Sequence, residues 1–130
     1  MHRGFTLLEL VVVVIILGIL ATLGFTQYTK MVEKGRTSEA KMILGQIRSA
    51  QAGYRMQYGA YTTVIGNLPV QPPTACGASG NHYFSYNVSA TTATARRCTA
   101  NGKLPVGPSP QYRVTLTYGT GVFGGTAGYY

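Results

Sequence analysis

The feature that most constrains this chain is an apolar run at its N-terminus. Residues 5–25 contain a single charged side chain, that of Glu9. A helix of this run would be about 31 Å long, close to the roughly 30 Å hydrocarbon core of a bilayer. Its β-branched stretch at residues 11–16 would suit a strand in water, but in lipid a helix satisfies its own backbone hydrogen bonds. The run therefore predicts a helix that needs lipid or other copies of itself, with a cleaved secretory signal peptide as the alternative.

Glu9 is the most informative residue of this run. A charge in the apolar part of a spanning helix costs on the order of 2.5–3.5 kcal/mol on insertion scales, so such a residue normally has a partner. Cleavage after Gly4 would create an α-amino group at Phe5, four residues away, and that amine titrates near a pH of about 8. This pairing, within one chain or with a neighbouring copy, is one interpretation. In the other, Glu9 lies at the level of the lipid headgroups and needs no partner.

The charge balance excludes several kinds of chemistry. The chain has eleven Lys and Arg residues against three Glu and no Asp, which gives a formal net charge of +8. A pair of carboxylates for acid–base catalysis, a calcium loop or a magnesium site would need acids that are missing. The sequence therefore predicts neither an enzyme nor a cofactor, and no small-molecule substrate.

The N-terminus also carries a recognisable motif. The segment GFTLLE at residues 4–9, followed by LVVVVIILGILA, resembles type IV prepilins, the superfamily of type IVa pilins and type II secretion pseudopilins. The resemblance implies that a prepilin peptidase cleaves between Gly4 and Phe5 and methylates the Phe5 amine. It also implies that Glu9 forms an assembly salt bridge with that amine, and that the apolar helices leave the inner membrane to form the core of a filament.

The resemblance implies an α+β fold, in which a long N-terminal helix packs on a small antiparallel β-sheet head. The expected segments are a leader at 1–4, an apolar helix at 5–28, an amphipathic helix at 29–61 and a head at 62–130. Many type IVa pilins have a proline where this chain has Thr26. If the helix melts locally in this chain, as is associated with that proline, Gly18 and Gly24 would have to cause it instead.

The second half of the helix is amphipathic. Apolar residues follow steps of three and four, which predicts a stripe packed against a sheet; these are Ala40, Ile43, Leu44, Ile47, Ala50, Tyr54 and Tyr58. Basic residues recur every seven positions on another face, at Lys34, Lys41, Arg48 and Arg55. This basic stripe is either a solvated face or a contact for DNA and other anionic surfaces.

The remaining residues predict the head. Alternating patterns predict strands at residues 84–88, 92–99 and 112–118, with a tight turn at 119–121 and proline-rich loops at 69–73 and 105–110. An even cysteine count in an exported chain favours a disulfide between Cys76 and Cys98. Two separate buried thiols, or a three-ligand metal site with His82, are the alternatives.

These observations predict a structural pilin subunit that polymerises into a filament on the bacterial surface, for adhesion, motility or DNA uptake. A type II secretion pseudopilin or a minor pilin is the related alternative. No acid follows Glu39, so the C-terminal calcium site usual in the major pseudopilin family is absent. A membrane-tethered monomeric binding module is the alternative from another class.

Overall fold

The fold combines one long helix with a four-stranded sheet. A computed structural model describes residues 4–77, 80–100, 103 and 111–129. Helix α1 covers Leu7–Tyr58, a short 3-10 turn covers Ile65–Asn67, and the strands are β1 (Phe84–Val88), β2 (Thr92–Arg97), β3 (Arg113–Thr117) and β4 (Phe123–Gly125). The predicted α+β pilin fold is confirmed. The chain divides after Val32 into two compact units, which are called the N-terminal unit and the head.

The N-terminal unit is helical from Leu7 onwards and has no buried side chain among its described residues. Its large apolar residues are exposed, from 43% at Val11 to 81% at Leu7. The helix is long and apolar enough here to cross a membrane. It stays helical through Gly18 and Gly24, so this chain shows no break at the two glycines.

The sheet of the head is an antiparallel meander in the order β1-β2-β3-β4. The predicted strands are confirmed, but β2 ends at Arg97 instead of residue 99. Cys98, which follows it, is bonded to Cys76. A turn after β3 leads into β4, where Gly125 has a φ of 133° and a side chain would collide with the Arg113 carbonyl. The predicted loop at residues 105–110 lies outside the described residues.

The core of the head lies between α1 and one face of the sheet. The inward residues of β3 and its flanks are buried as predicted, and they are Tyr112, Val114, Leu116 and Tyr118. The helix stripe differs from the prediction at two points. Tyr58 is 62% exposed and does not belong to it, while three polar residues do, namely Glu33, Thr37 and Gln51. Gly59, with a φ of 80°, adopts the left-handed conformation that commonly ends a helix.

Candidate functional site

The start of α1 is a capping box formed by Thr6 and Glu9. The Thr6 hydroxyl accepts a hydrogen bond from the Glu9 backbone N–H at 3.3 Å. In return, the Glu9 carboxylate accepts hydrogen bonds from the Thr6 N–H at 3.3 Å and from the Thr6 hydroxyl at 3.1 Å. Two of the N–H groups that a helix start leaves unpaired are thereby satisfied.

This geometry gives Glu9 a role that the sequence reasoning missed. The signal was present, because a threonine followed three residues later by a glutamate, just before an apolar run, is the pattern of a capping box. A carboxylate in the first turn also interacts favourably with the positive end of the helix dipole. In the uncleaved chain, the carboxylate is therefore held at the residue that directly follows Phe5.

The few hydroxyls of the apolar helix are bonded to the helix itself. Thr22 donates to the Gly18 carbonyl at 2.9 Å, and Thr26 donates to the Leu23 carbonyl at 2.9 Å. Thr29 does the same with the Phe25 carbonyl at 3.1 Å. The exposed surface of residues 5–25 is consequently apolar almost throughout, and most of the exposed large hydrophobic residues lie there.

A buried ion pair fixes the head to its helix. Glu33 is 3% exposed and Arg97 is 1% exposed. One Glu33 oxygen accepts hydrogen bonds from Arg97 Nε at 2.7 Å and from the Tyr112 hydroxyl at 2.6 Å. The other oxygen accepts one from Arg36 Nη1 at 3.0 Å. The Arg97 guanidinium also donates to the Cys98 carbonyl at 2.6 Å, so that both buried charges have partners.

This Glu33 cluster shifts the pKa values of its members. Burial alone would raise the pKa of Glu33, but hydrogen bonds from Arg97, Tyr112 and Arg36, together with the Arg97 charge, bring it below its ordinary value of 4.5. Burial and the hydrogen bond to Glu33 raise the pKa of Tyr112. The cluster is therefore ionised at Glu33 and protonated at Tyr112 at neutral pH.

A second polar contact ties the end of the helix to the chain that follows it. The Gln51 side chain is fully buried. Its amide donates to the Thr62 carbonyl at 2.8 Å and its oxygen accepts from the Thr62 N–H at 3.0 Å. The Tyr61 ring packs on the Tyr118 ring with centroids 4.9 Å apart, so that Tyr61 folds back towards the sheet after the helix.

Known proteins share the N-terminal motif and part of the chain. Residues 1–25 match the prokaryotic N-terminal methylation motif. The chain is 35% identical over 89 residues to the type IV major pilin protein of Myxococcus xanthus strain DK1622, covering 68% of this chain and 38% of that relative. It is 28% identical over 101 residues to a fimbrial protein of Neisseria meningitidis serogroup B, covering 78% of this chain and 58% of the relative.

The chain belongs to the type IV pilin family. A third relative, a type IV major fimbrial protein of Dichelobacter nodosus, is 40% identical over 50 residues, which are 38% of this pilin and 32% of the relative. This pilin thus spans less than two thirds of the length of each of these relatives.

The two cysteines of the pilin form a disulfide. Cys76 and Cys98 are bonded, with their Cα atoms 5.4 Å apart, so the alternative of separate thiols is wrong. The alternative of a metal site with His82 fails because both sulfurs are consumed. The His82 ring instead contacts the Ala75 carbonyl at 2.9 Å. No group of three potential metal-binding side chains occurs among the residues that the structure describes.

The basic stripe of the pilin is not one uniform solvated face. Lys34 is exposed, but Arg48 Nε donates to the Tyr118 carbonyl at 2.9 Å. Arg55 donates to the Tyr61 hydroxyl at 3.1 Å. Lys41 lies over the Phe123 ring, with its ammonium 5.6 Å from the ring centroid. Three of the four side chains therefore contact residues that follow the helix in the chain.

Proposed function

We propose that this pilin is a structural subunit that polymerises into a type IV filament on the bacterial surface, after a period as an inner-membrane precursor. The observation that supports this most directly is the exposed apolar surface of residues 5–25. A surface of this size on a monomer marks a site of association or membrane insertion. The same aliphatic side chains that suit lipid also suit other copies of the helix, so transfer between the two need not expose them to water.

The proposal includes processing at the motif. The proposed segments are a leader at 1–4, an apolar helix at 5–28, an amphipathic helix at 29–61 and a globular β-sheet segment at 62–130, which is the C-terminal part of the head. A prepilin peptidase cleaves between Gly4 and Phe5 and methylates the new amine, which keeps its charge. The Glu9 carboxylate, held at Thr6 in the precursor, then pairs with the Phe5 amine of its own chain or of a neighbour. Opposite charges within a few ångströms in a low-dielectric environment attract strongly, so this pairing guides each subunit into the filament.

A pseudopilin or minor pilin would share the motif and the fold, and a tethered binding module would share the membrane helix. Mass spectrometry of filaments sheared from the cell surface separates a filament subunit from a pseudopilin and from a tethered module. We expect the chain in the sheared fraction to begin at N-methylated Phe5. Recovery of the chain from inner membranes alone would contradict the filament role.

The two roles of Glu9 can be separated by substitution. Glu9→Gln keeps a side chain that can close the capping box but removes the charge, whereas Thr6→Ala removes the cap and keeps the charge. If the charge guides assembly, Glu9→Gln should insert into the membrane and yield few filaments, while Thr6→Ala should assemble. Normal filaments from Glu9→Gln would remove the pairing from the proposal.

A further inference from the structure

Two arginines lie directly opposite each other on the outer face of the sheet. The register of β2 and β3 pairs Arg96 with Arg113, and both side chains are exposed, while their neighbours Ala95 and Val114 face the core. Like charges placed directly across two strands destabilise a sheet. This Arg96–Arg113 pair is therefore an arrangement that an anion would stabilise.

Among the described residues of the head, no carboxylate forms an ion pair with either arginine. Of the two glutamates in residues 33–130, Glu33 is buried and bonded to Arg97 and Arg36. Glu39 is exposed on α1 and forms no ion pair within the described residues. Because α1 packs on the inner face of the sheet and the arginines project from the outer face, Glu39 cannot reach the pair of its own chain.

The surroundings of the pair suit a carboxylate. Gln111 accepts a hydrogen bond from Arg96 Nη2 at 2.6 Å, which orients the guanidinium. Beside it lies a groove of about 390 Å³, whose polar lining includes Thr74, Ser85 and Thr99. A guanidinium can bind a carboxylate with two parallel hydrogen bonds, and hydroxyls at the rim supply further donors.

We infer that Glu39 of one copy docks onto the Arg96–Arg113 pair of the next copy. This inference rests on the proposed filament function. The contact joins two different surfaces of the same chain, so it is heterologous, and a heterologous contact that does not close into a ring generates an open helical polymer. It also places the head's one exposed glutamate against two of its positive charges, which offsets repulsion between strongly basic neighbours.

A charge swap in the full-length pilin, expressed in the bacterium that makes it, tests the contact. The variants are Glu39→Lys, the double variant Arg96→Glu/Arg113→Glu, and the triple variant that combines them. Because like charges across an interface cost several kcal/mol, we expect the first two to yield roughly tenfold fewer sheared filaments or less. The triple variant restores opposite charges and should recover the yield to within about twofold.

A milder pair of variants guards against misfolding. Glu39→Gln and Ser38→Lys each raise the net charge by one at adjacent exposed positions of α1, but only Glu39→Gln removes the anion. Filaments of Glu39→Gln should therefore dissociate at lower salt than those of the wild type, whereas those of Ser38→Lys should not. Equal salt resistance of Glu39→Gln and wild-type filaments would overturn the inference.

Three further outcomes have distinct meanings. If the wild type forms filaments and the triple variant does not recover, the contact is wrong while the proposed function stands. If the arginine double variant assembles normally but loses binding of a DNA duplex, the pair is a site for phosphates and the inference is overturned. Absence of filaments from the wild type would remove the proposed function, and the inference with it.

Discussion

The two units of this pilin reach stability in opposite ways. The N-terminal unit buries none of its described side chains, and its apolar surface becomes favourable only in lipid or against other helices. The head buries its own core and adds two polar contacts, at Glu33 and at Gln51. Stability of the head is thus a property of one chain, whereas stability of the N-terminal unit is a property of its surroundings.

The largest effect is expected from breaking the buried ion pair. Arg97→Ala leaves Glu33 charged and without its main partner, so the free energy of unfolding of the head should fall by about 3–5 kcal/mol. The measurement is denaturant unfolding of the full-length pilin in micelles, followed by the near-ultraviolet signal of tyrosine, because all tyrosines except Tyr28 lie in the head.

Two variants sharpen that measurement. Arg96→Ala removes the neighbouring, exposed arginine and should change the free energy of unfolding by no more than about 0.5 kcal/mol. Replacing both partners, as Glu33→Leu/Arg97→Met, should cost less than Arg97→Ala because no buried charge is left unpaired. Equal losses in all three would mean that the pair does not fix the head to its helix.

Removal of the disulfide should have the next largest effect. The double variant Cys76→Ser/Cys98→Ser opens a loop with a sequence separation of 22 residues. In the chain-entropy model, this lowers the free energy of unfolding by about 3 kcal/mol. Wild-type pilin unfolded under reducing conditions is the matched control and should show the same loss. The helix content of the N-terminal unit in micelles should not change, and a change there would contradict the independence of the two units.

Acid should weaken the head through Glu33. Because the folded-state pKa of Glu33 is lowered, the ionised carboxylate contributes stability above its ordinary pKa of 4.5, and this contribution is lost as the pH falls through the folded-state pKa. Unfolding of the head should therefore become easier as the pH falls below 4.5. Glu33→Gln should be less stable at neutral pH and show a shallower pH dependence. A pH dependence equal to that of the wild type would assign the acid sensitivity to another group.

The smallest effect is expected at the helix start. Thr6→Ala removes the cap and should lower local helix stability by about 1 kcal/mol. Hydrogen exchange of the first amides of α1 in micelles should become faster, while denaturant unfolding of the head should be unchanged. Thr6→Ser keeps a hydroxyl cap and serves as the control, so that faster exchange in both variants would argue against a capping role.

Much of the architecture could be predicted from local patterns. The apolar run predicted the helix, and the alternation of residues 112–118 predicted β3. The even number of cysteines predicted the disulfide. The prediction that Tyr58 belongs to the buried stripe was wrong. It was based on spacing alone, because Tyr58 follows Tyr54 by four residues and so continues the apolar pattern. The helix ends at that residue, and the chain that follows it contacts Gln51 through Thr62 and the Tyr118 ring through Tyr61.

The buried ion pair could not be predicted in the same way. Glu33 and Arg36 read as an ordinary exposed pair three residues apart on a helix, which contributes little. Arg97 is one of two adjacent arginines, and only the register of β2 decides which of the two faces the core. Its partner lies 64 residues earlier in the chain. The ion pair therefore depends on how distant elements pair, which the spacing of residues within one helix or strand does not reveal.

The threonines of the apolar helix have a consequence for the proposed transfer of a subunit from the membrane to the filament. Three threonine hydroxyls donate their hydrogen bond to a backbone carbonyl of the preceding turn, those of Thr22, Thr26 and Thr29. No hydroxyl among them has to find a new acceptor when the neighbours change from acyl chains to protein. The transfer then replaces one apolar environment of the helix with another, and the hydrogen bonds within the helix stay unchanged.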